Sequence, residues 1–262
     1  YFISSILFIL GIKMLSSPTT ARKGNLISFI GMSFAVTTTL LIVDYDLDSI
    51  VFISSGIIIG GIIGLIFAKK VQMTSMPQMV AIFNGLGGLA SSLIAFSEII
   101  KSDTSISLNI ISISIFISIL IGSVTFSGSI TGFLKLQSLI TGKPILLPLR
   151  NYLNFILLIS IIGLMVASFF YNEQTLIFYI LIGSCLLLGI LIVLPIGGAD
   201  MPVVIALLNS YSGIVAAFTG FIFSNIALII SGSLIGASGL ILTRIMTKAM
   251  NRSLANVILG GF

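Results

Sequence analysis

The chain has 262 residues, 57% of them hydrophobic and only 7% charged, with a mean hydropathy of +1.27. So few charges cannot cover the surface of a water-soluble domain, which excludes that class and indicates a polytopic membrane protein. The net charge of +5 is not a nucleic-acid signal, because the basic residues sit in short connections between apolar runs, as in membrane proteins.

In chain order, nine apolar segments span 2–15, 25–43, 50–68, 77–97, 106–127, 151–170, 175–193, 201–222 and 225–247. Most approach the roughly 20 residues that a spanning helix needs; the first is short. The runs are continuous rather than alternating, which excludes barrel strands. The expected fold is an all-α transmembrane bundle with nine spans. The first segment lacks the basic start of a signal peptide. The chain opens at Tyr1 and stops at Phe262 after Gly260 and Gly261, so the expectation is one transmembrane domain, 1–262, cut from a longer polypeptide. Cys185 is the only cysteine and falls within a segment, so no internal disulfide forms.

The charges sort by connection. Lys13, Arg22, Lys23, Lys69, Lys70, Lys135, Lys143, Arg150, Arg244, Lys248 and Arg252 fall in alternate connections or at the C-terminal end. Asp44, Asp46, Asp48, Glu98, Asp103 and Glu173 fall in the others, with Lys101 as the one basic residue among them. The positive-inside rule then places the N-terminus outside and the C-terminus inside, which an odd number of spans allows. All six prolines map to the inner side, and Pro77 and Pro202 stand where inward-starting helices begin, a position that tolerates the missing N–H. Asp200 is the only acid on that side.

Two segments share a start. Residues 76–88 read MPQMVAIFNGLGG and 201–213 read MPVVIALLNSYSG. In each an Asn follows the Pro by seven positions, which places Asn84 and Asn209 about 10 Å below the helix mouth at 1.5 Å per residue. Each Asn is followed on the same face by a glycine, Gly88 or Gly213. Two readings stand: helix starts that converged on Pro and small residues, or equivalent helices facing a common interior, as in transporters with parallel repeats. After Asn209, Ser212, Gly213, Ala216 and Gly220 continue a polar and small stripe. Small residues let helices approach closely, whereas an amide deep in a membrane needs a partner or water. Asp200, two residues before Pro202, is read both as a helix cap and as a functional carboxylate stabilised at a helix N-terminus. Gly56, Gly60 and Gly64, and again Gly232 and Gly236, have the spacing of packing faces. Gly122, Gly128 and Gly132 with Ser127, Ser129 and Thr131 make the inner end of the fifth helix polar enough either to line a wet path or to pack closely. Arg244, Lys248 and Arg252 lie three to four residues apart, on one face of an extended helix end.

No Walker loop, dinucleotide turn after a soluble strand, metal-ligand cluster or nucleophile triad occurs. Gly85-Leu86-Gly87-Gly88 lies within a span. The chain therefore offers no hydride-transfer, cofactor-binding or metal residues of its own.

The stretch PIGGADMPVVIALLNSYSG at 195–213 resembles the membrane domain of the proton-translocating NAD(P) transhydrogenase β subunit. So do SGSLIGASG at 231–239, KAMNRSLANVILGGF at 248–262, MPQMVAIFNGLGGLA at 76–90, and TFSGSITGFLKLQ with GKPILLPLR between 125 and 150. The resemblance covers nearly the whole chain. It implies an enzyme in which proton passage through this domain drives hydride transfer between NAD(H) and NADP(H), both held in soluble domains elsewhere. It implies an NADP-binding domain following 262, an α-type NAD-binding domain with its own membrane helices, and a homodimer of the whole assembly. The membrane would be bacterial cytoplasmic or mitochondrial inner. No nucleic acid is involved. By the same resemblance Asp200 matches the inner-face acid, Asn209 the intramembrane amide, Ser129 a serine near the path and Arg252 a basic residue near the NADP domain. With Asn84 and Ser212 these form the expected proton path, and Asp200, Lys248 and Arg252 the expected coupling set. Members of the family often carry a histidine where this chain has Asn84. Histidine can carry a proton near neutrality and Asn cannot. Since the chain has no histidine, the carrier is expected on a helix of the α-type partner. A stand-alone secondary transporter using Asp200 and the two Asn residues is the competing reading, and a purely structural scaffold is a third.

Overall fold

A computed structural model of the protein describes residues 1–43, 45–101, 109–170 and 174–259. Asp44, Asp103, Glu173, Gly260, Gly261 and Phe262 lie outside the described residues. The described elements are all helical. They are α1 (Phe2–Leu15), α2 (Ala21–Ile42), α3 (Leu47–Lys70), α4 (Met76–Lys101), α5 (Ile110–Leu136), α6 (Arg150–Ala167), α7 (Gln174–Val193), α8 (Met201–Ile222), α9 (Ile226–Ala249) and the short α10 (Leu254–Leu259). Single 3-10 turns, Met73–Ser75 and Gly198–Asp200, lead into α4 and α8.

Each of the nine apolar segments coincides with a helix, and α2 to α9 are the eight that are long and apolar enough to cross a membrane. At 14 residues α1 is shorter. This is an integral membrane helix bundle. Polar caps set several helix starts. The side chains of Asp46, Asn109 and Asn225 accept the amides of Ser49, Ser112 and Leu228 at 3.2, 2.8 and 3.2 Å. Helix α5 continues to Leu136, well past the segment end at 127, because its Gly- and Ser-rich last turns are buried rather than looped into water.

The chain divides into two compact units, Tyr1–Met79 and Val80–Phe262. In the first, α1 packs on α2 through small residues. A Cβ on Gly24 would lie 2.9 Å from the carbonyl oxygen of Gly11, and Ser4 donates to the carbonyl of Gly31 at 2.7 Å. Helix α3 has no buried residue, and a Cβ on Gly56, Gly60 or Gly64 would meet nothing within 4 Å among the described residues. The packing face expected there is therefore not used within the described chain; spacing alone names a ridge, not what fills it.

In the second unit α5 and α8 are the central helices. Helix α5 packs against α7 and α8, α8 against α9, and α6 against α7. One apolar cluster joins Ala95, Ile115, Phe116, Ile119, Ile161, Phe178, Leu181 and Cys185, with Phe116 stacked on Phe178 at a ring separation of 5.7 Å. A second joins Val193, Ile196, Met201, Val203, Val204 and Leu208 to Val257 of α10. On α8 the polar residues Asn209, Ser210, Ser212 and Thr219 follow the second cluster, and on α5 buried serines alternate with the first.

Candidate proton-path site

Helices α4, α5 and α8 bring three of the expected path residues into contact. Asn84 on α4 is 6% exposed, and its amide donates to the Ser129 hydroxyl of α5 at 2.8 Å. From α8, the Ser212 hydroxyl donates to the backbone carbonyl of Asn84 at 3.2 Å. The contact requires close backbones, and glycines supply them. A Cβ on Gly88 would lie 2.8 Å from the Gly122 carbonyl oxygen, and one on Gly85 would lie 3.2 Å from the Ser129 Cβ. Ser129 is reached only because α5 stays helical beyond 127.

Asn209 is half-buried, and its side chain makes no hydrogen bond among the described residues. It lies one turn before Ser212 on α8, so these two share a side of the helix. The link from α8 to Asn84 thus runs through Ser212 rather than through the amide at matching depth. The glycine after each Asn serves a different neighbour, Gly88 facing α5 and Gly213 facing α9. A Cβ on Gly213 would sit 2.9 Å from the Gly232 carbonyl oxygen, and one on Gly220 would sit 2.7 Å from the Ile229 amide nitrogen. Gly232 and Gly236 therefore do form the packing face that their spacing predicted. Ser210, on that same face of α8, donates to the Gly236 carbonyl at 2.5 Å.

More hydroxyls lie along the α4–α5 seam than the sequence singled out. Ser92 and Ser123 share a hydrogen bond at 2.8 Å. Asn84 Oδ1, Thr125 Oγ1 and Ser118 Oγ are buried without a partner. A buried acceptor left unpaired costs about 1–3 kcal/mol, so the seam retains hydrogen-bonding capacity that its own side chains do not use. These groups can hold and orient a hydrogen-bonded chain, but none of them titrates near neutral pH.

A second candidate site is an ion pair. Arg252 Nη1 donates to Asp200 Oδ2 at 2.7 Å, with the Asp200 side chain 13% exposed and that of Arg252 45% exposed. Asp200 occupies the N-cap position of α8, but its carboxylate accepts no amide there. The cap reading is corrected accordingly: the carboxylate turns to the guanidinium. Arg252 reaches it because α9 ends before it. Asn251 adopts a left-handed conformation (φ 54°), its amide bonds the Lys248 carbonyl at 3.1 Å, and the Arg252 amide bonds the Thr247 carbonyl at 3.0 Å. This is the usual left-handed helix stop, which asparagine tolerates. It also corrects the single basic face expected for Arg244, Lys248 and Arg252: the first two lie exposed on α9 and the third is turned back onto Asp200. Among the described residues the Lys248 side chain makes no hydrogen bond or ion pair.

Lys135 is the residue most misplaced by sequence reasoning. Assigned to a loop, it lies buried in the last turn of α5. No side-chain pattern in the sequence marked it as buried. Among the described residues there is no strand, and Gly85 and Gly88 lie close against α5. No group of three His, Cys, Asp or Glu residues comes together among the described residues.

The family model for the NAD(P) transhydrogenase beta subunit matches residues 1–262. Two curated sequences, from Rhodospirillum rubrum and from a named strain of that species, are each called NAD(P) transhydrogenase subunit beta. Each is 44% identical to the chain over 269 residues, covering 100% of the chain and 57% of the relative. The chain thus spans little more than half the length of these relatives.

Proposed function

The chain belongs to the NAD(P) transhydrogenase beta subunit family, and from that premise we propose that it conducts protons through the membrane while a hydride passes between NADH and NADP+ in soluble domains outside residues 1–262. The observation that carries this reading is the joining of Asn84, Ser129 and Ser212 from three helices in one buried hydrogen-bonded group. A polar group that joins three helices within the membrane-spanning part of the bundle is a functional-site hypothesis by default. Asn209, one turn inward on α8, extends it toward the Asp200–Arg252 pair. No observation favours the stand-alone transporter.

The finer picture follows the charge distribution and the family. Nine spans, with α1 as a short first one, put the N-terminus outside and the C-terminus inside. Asp200, Arg252 and the exposed Lys248 then face the side where an NADP-binding domain would dock, and they transmit its state to the path. The chain itself binds neither nucleotide. Its partners are that domain and an α-type NAD-binding subunit with further membrane helices, in a homodimer of the whole assembly. The membrane is bacterial cytoplasmic or mitochondrial inner.

A proton crossing about 30 Å of hydrocarbon needs titratable groups or ordered water. Asn84 can do no more than hold such a chain, and its free Oδ1 is an acceptor for a donor from outside this chain. We assign the carrier to a histidine on a partner helix near Asn84. The test is proton uptake by the assembled enzyme in vesicles. Replacing that histidine with an apolar residue should abolish uptake, and Asn84→Ala should reduce it only several-fold. A partner segment without histidine or intramembrane carboxylate would contradict the assignment.

A further inference from the structure

The proton reading leaves one buried cation without a task. Lys135 is 2% exposed, and it is the only charged side chain among the buried residues described. Taking an ammonium out of water costs several kcal/mol unless its donors are all used. Here they are used on backbone carbonyls. Nζ donates to the carbonyl of Ile196 at 2.7 Å, to that of Leu194 still more closely, and to that of Lys143 at 3.5 Å. Neither ion pair of the described residues involves it. Three donors meet three acceptors, and two of these lie at the C-terminal end of α7, where the helix dipole favours a cation.

The acceptors come from two different connections. Lys143 lies between α5 and α6; Leu194 and Ile196 lie between α7 and α8. Backbone bonds lace the same two connections together, from the Ile145 amide to the Leu194 carbonyl at 3.1 Å and from the Gly198 amide to the Gly142 carbonyl at 2.8 Å. Four residues after Ile196, through the Gly198–Asp200 turn, comes the carboxylate that holds Arg252. Six residues before Lys135 on the same helix is Ser129, the acceptor of the Asn84 amide. One rigid helix therefore grips the membrane-interior group at one point and the turn bearing the inner-mouth acid at another.

We propose that Lys135 is a positioning residue for Asp200: its ammonium clamps the 194–200 turn to the end of α5, so that the Asp200–Arg252 pair keeps a fixed register with Ser129 and Asn84. A snorkelling lysine would instead present its charge to water, which the burial of this one contradicts. The inference deepens the proposed function, and rests on it for the importance of Asp200. The clamp itself depends only on the contacts above.

The test uses the full enzyme in lipid nanodiscs, comparing wild type with Lys135→Met, Lys135→Gln and Lys135→Arg. Hydrogen exchange of the 194–200 amides should quicken at least tenfold in the two neutral variants and stay within about threefold of wild type in the arginine variant, which keeps its donors. Exchange in α9 around Gly239 should not change in any of them. In vesicles, Lys135→Met should lower coupled proton uptake, and adding it to Asp200→Asn should cost nothing beyond Asp200→Asn alone, since both act through one carboxylate. Unchanged exchange at 194–200, or losses that add in the double variant, would overturn the proposal. So would failure of both neutral variants to assemble while Lys135→Arg assembles, which would make Lys135 a folding residue. If Asp200→Asn by itself leaves uptake intact, the functional role of Asp200 fails, and the exchange measurement still decides the clamp.

Discussion

Helix α8 has two seams of opposite character. Toward α9 it is fitted backbone to backbone: Gly213 and Gly220 meet Gly232 and Ile229 at distances that leave no room for a methyl group. Toward α5 it packs Leu208 against Gly128 and Met201 and Ile205 against Gly132, and toward α4 it adds Ser212, whose hydroxyl donates to the Asn84 carbonyl, with Asn84 Oδ1 unpaired among the described residues. The first seam spends its small residues on van der Waals contact, the term that holds helices together when lipid is as apolar as the helices themselves. The second keeps apolar contact with α5 but adds polar capacity beside it. One seam thus serves as a fixed mount, and the other is where a hydrogen-bonded path can form and rearrange.

The sharpest way to break the mount is Gly213→Leu. Its Cβ would enter the α9 backbone, which cannot rotate aside, and overpacking of this kind costs 1–3 kcal/mol or more. We expect no assembled protein to be recovered from membranes, whereas a variant that assembled normally would show the α8–α9 seam to be loose. Next in size is Arg252→Ala. A half-exposed ion pair contributes about 0–1 kcal/mol to stability, so thermal stability should barely move, yet NADP(H) affinity and proton coupling of the assembled enzyme should both change. If neither changes, the pair has no coupling role. Smaller again are Asn84→Ala and Ser129→Ala. Each should destabilise the protein by about 1 kcal/mol, and the double variant by less than their sum, because they share one hydrogen bond; additive melting shifts would show that the two groups are not joined. Smallest is Gly60→Ala on α3, where the methyl meets open space. We expect a change within about 0.5 kcal/mol in the isolated chain, and a large loss confined to the assembled enzyme would mean that a partner fills that ridge.

The helices were legible because hydropathy and length carry the same information in a membrane: nine apolar runs became nine helices. Motif spacing said less about partners. The glycine pattern of α3 and that of α9 read alike, yet only Gly232 and Gly236 meet a neighbour, because a spacing describes one helix face and a contact needs two. The repeated Met-Pro start left two readings, convergent helix starts or helices facing a common interior; among the described residues Asn84 bonds Ser129 and Ser212, and the Asn209 side chain has no hydrogen bond. Depth along an axis is set by rise per residue, whereas facing is set by packing against third helices. Lys135 was unreadable as a buried group. Its acceptors are backbone carbonyls some 60 positions away, and no side-chain pattern in the sequence marks them. Arg252 was legible as important but not as a partner of Asp200, because the turn that brings it back depends on the left-handed conformation of Asn251.

The central claim is that this chain conducts the protons and leaves hydride chemistry to other domains. The most direct measurement compares proton uptake with hydride transfer between NADPH and an NAD+ analogue in vesicles holding the assembled enzyme with Asp200→Asn. We predict assembled protein and persisting hydride exchange between the bound nucleotides, with proton uptake sharply reduced. Full proton uptake by that variant would contradict the account.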